Sequence, residues 1–215
     1  MNADRGQAFT LEAIVGAILV LASLVFALQV TAVTPLSAST SSQHIENQQD
    51  ATVEGALAAA YQNEALKRAV LYGSDTADGN DDGLFSFHET SIDVYYTNRA
   101  PTNQFGAILN RTFEGRGLAY NVYVTFQTTS GGTERIRMVY QGVPSDNAAA
   151  AQREITLYDD DVLYEPESDG NSDDFDVAQP TSTELESAGD DFYAQDISSG
   201  PVFNVVEVEV ITWRQ

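Results

Sequence analysis

From Ala13 to Val33 the chain runs 21 residues without a charge, and only Ser23, Gln29 and Thr31 among them are polar. As a helix this run would be about 31 Å long, close to the thickness of the hydrocarbon core of a bilayer. Its apolar residues fall on every face, which distinguishes a membrane span from an amphipathic helix lying on a soluble core. A secretory signal peptide is the competing explanation. It has a positive start, a shorter apolar stretch and then a small-residue cleavage site. The run is long for that pattern, although the Ala/Ser/Thr stretch after Leu36 offers such a site. The residues beyond the run, roughly 180, are enough for one domain with a hydrophobic core of its own.

The charge on that remainder is extreme. The chain has 32 acidic residues against 10 basic ones, a net charge of −22, and Lys67 is its one lysine. Acidic disordered chains carry such charge but lack apolar residues. Here the hydrophobic fraction is 43%, with 10 Tyr and 10 Phe, so a folded domain is expected. Salt screens self-repulsion of this size, and the composition resembles that of proteins from salt-loving archaea. Melting of the chain across a salt series should therefore show stability falling as salt is lowered from molar to about 0.1 M. A melting point indifferent to salt would count against halophilic adaptation. Nucleic acid is excluded as a partner, because binding it requires basic patches that neutralise phosphates. No cysteine is present, which rules out disulfides, iron–sulfur clusters and thiolate-bound zinc.

The residues before the apolar run are informative. Arg5-Gly6-Gln7 precedes Phe9-Thr10-Leu11-Glu12 and then the apolar helix. This resembles the class III signal of archaeal type IV prepilins. The resemblance implies that a prepilin peptidase cuts between Gly6 and Gln7 on the cytoplasmic side and that the apolar helix is retained. Many pilins carry a Glu at the fifth mature position; here that position is Leu11, and Glu12 is sixth. The resemblance makes Glu12 a candidate subunit contact, although a carboxylate at the start of a membrane helix also suits the helix dipole. FALQVTAVTPLSASTSSQHIENQQ and NRTFEGRGLAYNVYVTF look like an uncharacterised haloarchaeal pilin-like family associated with type IV pilus gene clusters. The implied organisation is a leader over 1–6, a transmembrane or filament-core helix over 7–34, and an extracellular acidic domain over 35–215. Arg5 before the span also favours a cytoplasmic N-terminus.

The rest of the chain reads as α+β, with a long N-terminal helix packed on an antiparallel β-sheet in a pilin-like manner. Thr34-Pro35 is the first punctuation, either a helix start or a kink, and residues 37–42 suggest a soft hinge. Ile45 to Tyr72 predicts a helix with Val53, Leu57, Ala60 and Tyr61 on its buried stripe, extended by Leu66, Val70 and Leu71. Asn103 to Phe113 predicts a short helix. Alternation predicts strands over Ser91–Thr97, through Ile92, Val94 and Tyr96, over Leu118–Thr129 and over Glu134–Gln141. The last two form a hairpin about Ser130-Gly131-Gly132. Glu154–Tyr158 and Asp161–Tyr164 read as short strands, and Val202–Trp213 as a long one. Asp159 to Asp196 holds 14 acidic residues and no basic one, which predicts a long solvated surface excursion.

Asp78 to Glu89 fits the EF-hand loop D-x-[DN]-x-[DN]-G-x5-E. Calcium wants six to eight oxygens. Asp78, Asn80 and Asp82 would offer side chains, Leu84 its carbonyl, Ser86 a direct or water-mediated contact and Glu89 a bidentate carboxylate, while Gly83 allows the sharp turn. The competing explanation is an Asp/Gly turn in an Asp-rich chain, since a strand rather than a second helix is expected after it. Asn110-Arg111-Thr112 is an N-glycosylation sequon. His44 and His88 stand apart without a further His or Cys, and read as surface or half-buried residues rather than ligands. No G-x-S-x-G, P-loop or Rossmann glycine pattern occurs, and carboxylates are too common for any pair to stand out. The sequence points to a structural subunit rather than an enzyme. The alternative is a permanently anchored binding module with an acidic, calcium-loaded face.

Overall fold

The computed structural model describes residues 3–74, 85–88, 90, 94–166 and 178–214, with side chains in the first helix described over 10–29 and from Asn47 onward. The elements in chain order are α1 (Ala3–Gln62), α2 (Ala65–Val70), β1 (Gly73–Ser74), β2 (Ser86–Phe87), α3 (Gln104–Thr112), β3 (Leu118–Gln127), β4 (Thr133–Tyr140), β5 (Ala149–Tyr158), β6 (Val162–Pro166), β7 (Ala178–Glu184), α4 (Leu185–Ala188) and β8 (Val202–Arg214). The chain divides into two compact units, Met1–Asn47 and Gln48–Gln215.

The first unit is helical. Thr10–Gln29 has a mean hydropathy of 2.5 and buries none of its residues within the chain. Leu11, Ile14, Ile18, Leu21, Val25 and Leu28 are all more than half exposed. Helical backbone continues through Thr34-Pro35 and the Ser/Thr stretch after it, where the sequence suggests a break or hinge. Pro35 forgoes one main-chain hydrogen bond within α1.

The second unit is an α+β domain. Its main sheet has the order β4-β3-β8-β5, every pair antiparallel. Alternation sets its faces: Tyr120, Val122 and Val124 of β3 and Val206, Val208 and Val210 of β8 are buried, while Glu207 and Glu209 lie on the opposite side. Against the buried face lie Val53, Ala56, Leu57 and Ala60 of α1, spaced i, i+3, i+4, i+7 as a core-facing stripe requires. Tyr61, expected on that stripe, is instead 54% exposed; Ala56 takes the place. The helix expected to run on to Tyr72 breaks at Asn63-Glu64. Glu64 adopts the left-handed conformation with φ 56°, which re-aims the following turn so that Ala65, Leu66, Ala69 and Val70 of α2 all reach the core. In α3, the Asn103 side chain caps the helix by accepting from the Gly106 N–H at 3.1 Å, and Phe105, Leu109 and Phe113 are buried.

The β3–β4 hairpin forms as its alternation predicts, closed by the Thr128 N–H donating to the Gly132 carbonyl at 2.9 Å. Gly131 sits at φ 82°, a conformation glycine adopts without strain. Three other expectations change. β5 is a ten-residue strand that starts at Ala149, because pairing along β8 overrides the weak strand preference of Ala149-Ala150-Ala151. Of the expected 91–97 strand, Ile92 lies outside the described residues. Val94 is 41% exposed, and among the described residues of that stretch Tyr96 alone bridges to β4, beside Val139. The described part of the acidic stretch is not a free excursion. β7 pairs with β6, and Leu185, Ala188, Phe192 and Ala194 are buried. Its sparse apolar residues hold it to the core while most of its carboxylates stay in water.

Candidate functional site

Arg5, Gly6 and Gln7 lie on helical backbone at the head of α1. Glu12 is exposed at the start of the apolar stretch, beside Leu11 at 68% exposure. A lone carboxylate there needs a partner or an interfacial position, since a charge inside hydrocarbon is costly.

Of the residues expected to bind calcium, Asp78, Asn80, Asp82, Leu84 and Glu89 lie outside the described residues. Ser86 is on β2, opposite Ser74 of β1, and is fully buried, with no hydrogen-bond partner for its hydroxyl among the described residues. Among the described residues no group of three or more His, Asp or Glu is placed to hold a metal.

His88, next in that stretch, is half-buried with its ring edge-on to Tyr72, centroids 5.0 Å apart. Burial, partly offset by a hydrogen bond to the main chain of Tyr164, lowers its pKa from 6.5 to about 4. The imidazole is therefore neutral at physiological pH, and of the surface and half-buried placements the sequence allows it takes the half-buried one. Asn110 of the sequon is half-buried on α3. Its amide nitrogen donates to Glu114 at 2.8 Å, and the other Glu114 oxygen accepts from the Tyr120 hydroxyl at 3.0 Å.

One feature escaped the sequence. Phe85, Phe87, Phe126, Phe192 and Tyr193, with Val94 and Ile136, line a pocket of about 430 Å³ whose rim carries Glu134, Arg137 and Gln195. The rings meet edge-on and tilted, with Phe85 to Tyr193 at 4.9 Å and Phe192 to Tyr193 at 4.2 Å, the arrangement favoured by the aromatic quadrupole. The Tyr193 hydroxyl is buried without a hydrogen-bond partner among the described residues, and desolvation pushes its pKa upward. These residues come from five separate stretches of chain, so no local spacing announces them; the adjacent pair Phe192-Tyr193 was the nearest signal.

Fold and site together define an α+β protein with one N-terminal helix long and apolar enough to cross a membrane. The chain belongs to a family of unknown function, DUF7288, whose profile matches residues 5–212. No curated protein matches the chain, and no solved structure does.

Proposed function

We propose that this chain is a pilin-like subunit, a minor pilin or pseudopilin, of an archaeal type IV pilus-like surface filament or of its assembly system. The observation that carries the proposal is Arg5-Gly6-Gln7 at the head of a helix whose Thr10–Gln29 segment is apolar on all faces and unburied. Such a surface has two natural settings, lipid and a bundle of like helices. A subunit that leaves the membrane for a filament core uses both in turn. The α+β domain, with the end of α1 laid on an antiparallel sheet, suits the display end of such a subunit. Its partners are then other pilin-like subunits, the assembly machinery and the prepilin peptidase. Glu12 is a subunit contact, and the acidic domain stands outside a cell living in high salt.

A second reading, a permanently anchored extracellular binding module, is favoured by the aromatic pocket. N-terminal sequencing of membrane-purified protein separates the two. A start at Gln7 is expected, and Gly6→Leu should leave an uncut precursor six residues longer. A start at Met1 or beyond Thr34, or normal processing of Gly6→Leu, would overturn the pilin reading.

A further inference from the structure

Charge in the folded unit is unevenly placed. β8 has 13 residues and extends about 40 Å from Val202 to Arg214; its two ends carry opposite charge.

At the far end, the register sets Arg214 opposite Leu118. Arg116 stands two residues before Leu118, and Gly117, at φ 67°, turns the chain into β3. Arg111 lies in the last turn of α3, which leads into the same corner. All three arginines are exposed, and none makes an ion pair among the described residues. By contrast Lys67, Arg135 and Arg153 are paired with Asp161, Glu209 and Glu54. Glu114 is engaged by Asn110 and Tyr120, and Asp146, exposed in the loop between β4 and β5 that leads to Ala149 opposite Thr212, makes no ion pair among the described residues. Val143 of that loop is 81% exposed.

At the Val202 end the situation is reversed. Asp159 and Asp160 follow β5, Glu186 is on α4, and Asp196 leads toward β8. Main-chain hydrogen bonds draw them together: Asp159 N–H to the Pro201 carbonyl at 3.2 Å, Glu186 N–H to the Asp159 carbonyl at 3.1 Å, and Ile197 N–H to the Phe203 carbonyl at 3.0 Å. One Asp159 carboxylate oxygen is out of solvent without a hydrogen-bond partner among the described residues. Desolvation, followed by the charges of Asp196, Glu186 and Asp160, raises its pKa. The neighbouring cation, Lys67, is already held by Asp161 at 2.6 Å.

We infer that the arginine end of one copy, Arg111, Arg116 and Arg214, docks on the acidic end of the next, Asp159, Asp160, Glu186 and Asp196. Among the described residues each end lacks within its own chain what the other supplies, and complementary charge fixes partner and register. The contact joins two different surfaces, so it propagates copy after copy rather than closing a dimer. It is the domain-to-domain contact of the subunit proposed above and rests on that reading.

The chain has no cysteine, so introduced thiols report the contact directly. The two ends are too far apart for a disulfide within one chain, which needs Cα atoms about 4.4–6.8 Å apart. Full-length chains carrying Arg116→Cys and Asp196→Cys are made together in membranes and oxidised. Cross-linked dimers are expected from the mixture, and a ladder from the double variant. Adding Arg111→Glu and Arg214→Glu should lower the linked fraction about tenfold, and Asp160→Lys with Glu186→Lys should restore it. Four results would overturn the inference: no link; links between Arg116→Cys copies alone; a link to a different polypeptide; or equal linking by Gln152→Cys, an exposed site in the middle of β5. Unchanged melting of each variant excludes misfolding, and the N-terminal sequence of the same material reports on processing separately.

Discussion

Gly106→Ala is expected to destabilise the folded unit by about 3 kcal/mol, lowering Tm by roughly 6–12 °C. Gly106 lies in the first turn of α3, where a Cβ would run into the carbonyl oxygen of Pro101 and stand 2.7 Å from its carbonyl carbon. These are main-chain atoms and cannot swing aside as the tip of a side chain can. The same residue donates its N–H to the Asn103 cap, so relieving the clash also pulls at the start of the helix. Phe105 and Leu109, both buried, depend on that placement. Gly55 supplies the control. It is exposed on α1 with nothing within 4 Å of the place a Cβ would take, and alanine there should stabilise by about 0.5–1 kcal/mol through helix propensity. Thermal melts of the two variants should therefore move in opposite directions. A Gly106→Ala protein that melts with wild type would mean that Pro101 does not press on α3 as described.

What the sequence makes legible is local. Asn103 ahead of Phe105 and Leu109 is a cap before a periodic stripe, and α3 follows from it. Alternation on either side of Gly131 dictates the β3–β4 hairpin, and the apolar run from Ala13 dictates an exposed helix. What stays hidden depends on partners distant in sequence. Ala149 to Ala151 become strand because β8 offers a full edge to pair with. Glu64 breaks a helix that its neighbours would have continued, since only the core shows where Leu66 must go. The aromatic pocket collects rings from Phe85 to Tyr193, and the arginine corner joins Arg111 and Arg116 to Arg214 through one strand register. Net charge is visible in a composition; its separation into two ends of a strand is not.

His88 should make the fold acid-sensitive in a defined window. Its folded pKa of about 4 lies below its ordinary 6.5, so between those values the unfolded chain takes up a proton that the folded chain refuses. Stability from this group is fully present above pH 6.5, falls as pH drops, and levels off below about 4. The shift of roughly 2.5 units corresponds to about 3 kcal/mol over the window. Acidification has an opposing effect in a chain of net charge −22, because neutralising carboxylates relieves repulsion, and Asp159, whose pKa is raised, gains stability in the same direction. The wild-type curve alone therefore mixes the two. The difference between wild type and His88→Gln isolates the imidazole, since glutamine keeps a donor for the Tyr164 main chain and does not titrate. His44, the other histidine, contributes equally to both proteins and cancels. Unfolding free energies measured at fixed salt from pH 7.5 to 3.5 should show the two proteins diverging below pH 6.5, with wild type losing about 3 kcal/mol relative to the variant by pH 4. Parallel curves across that range would place the imidazole in water rather than against Tyr72.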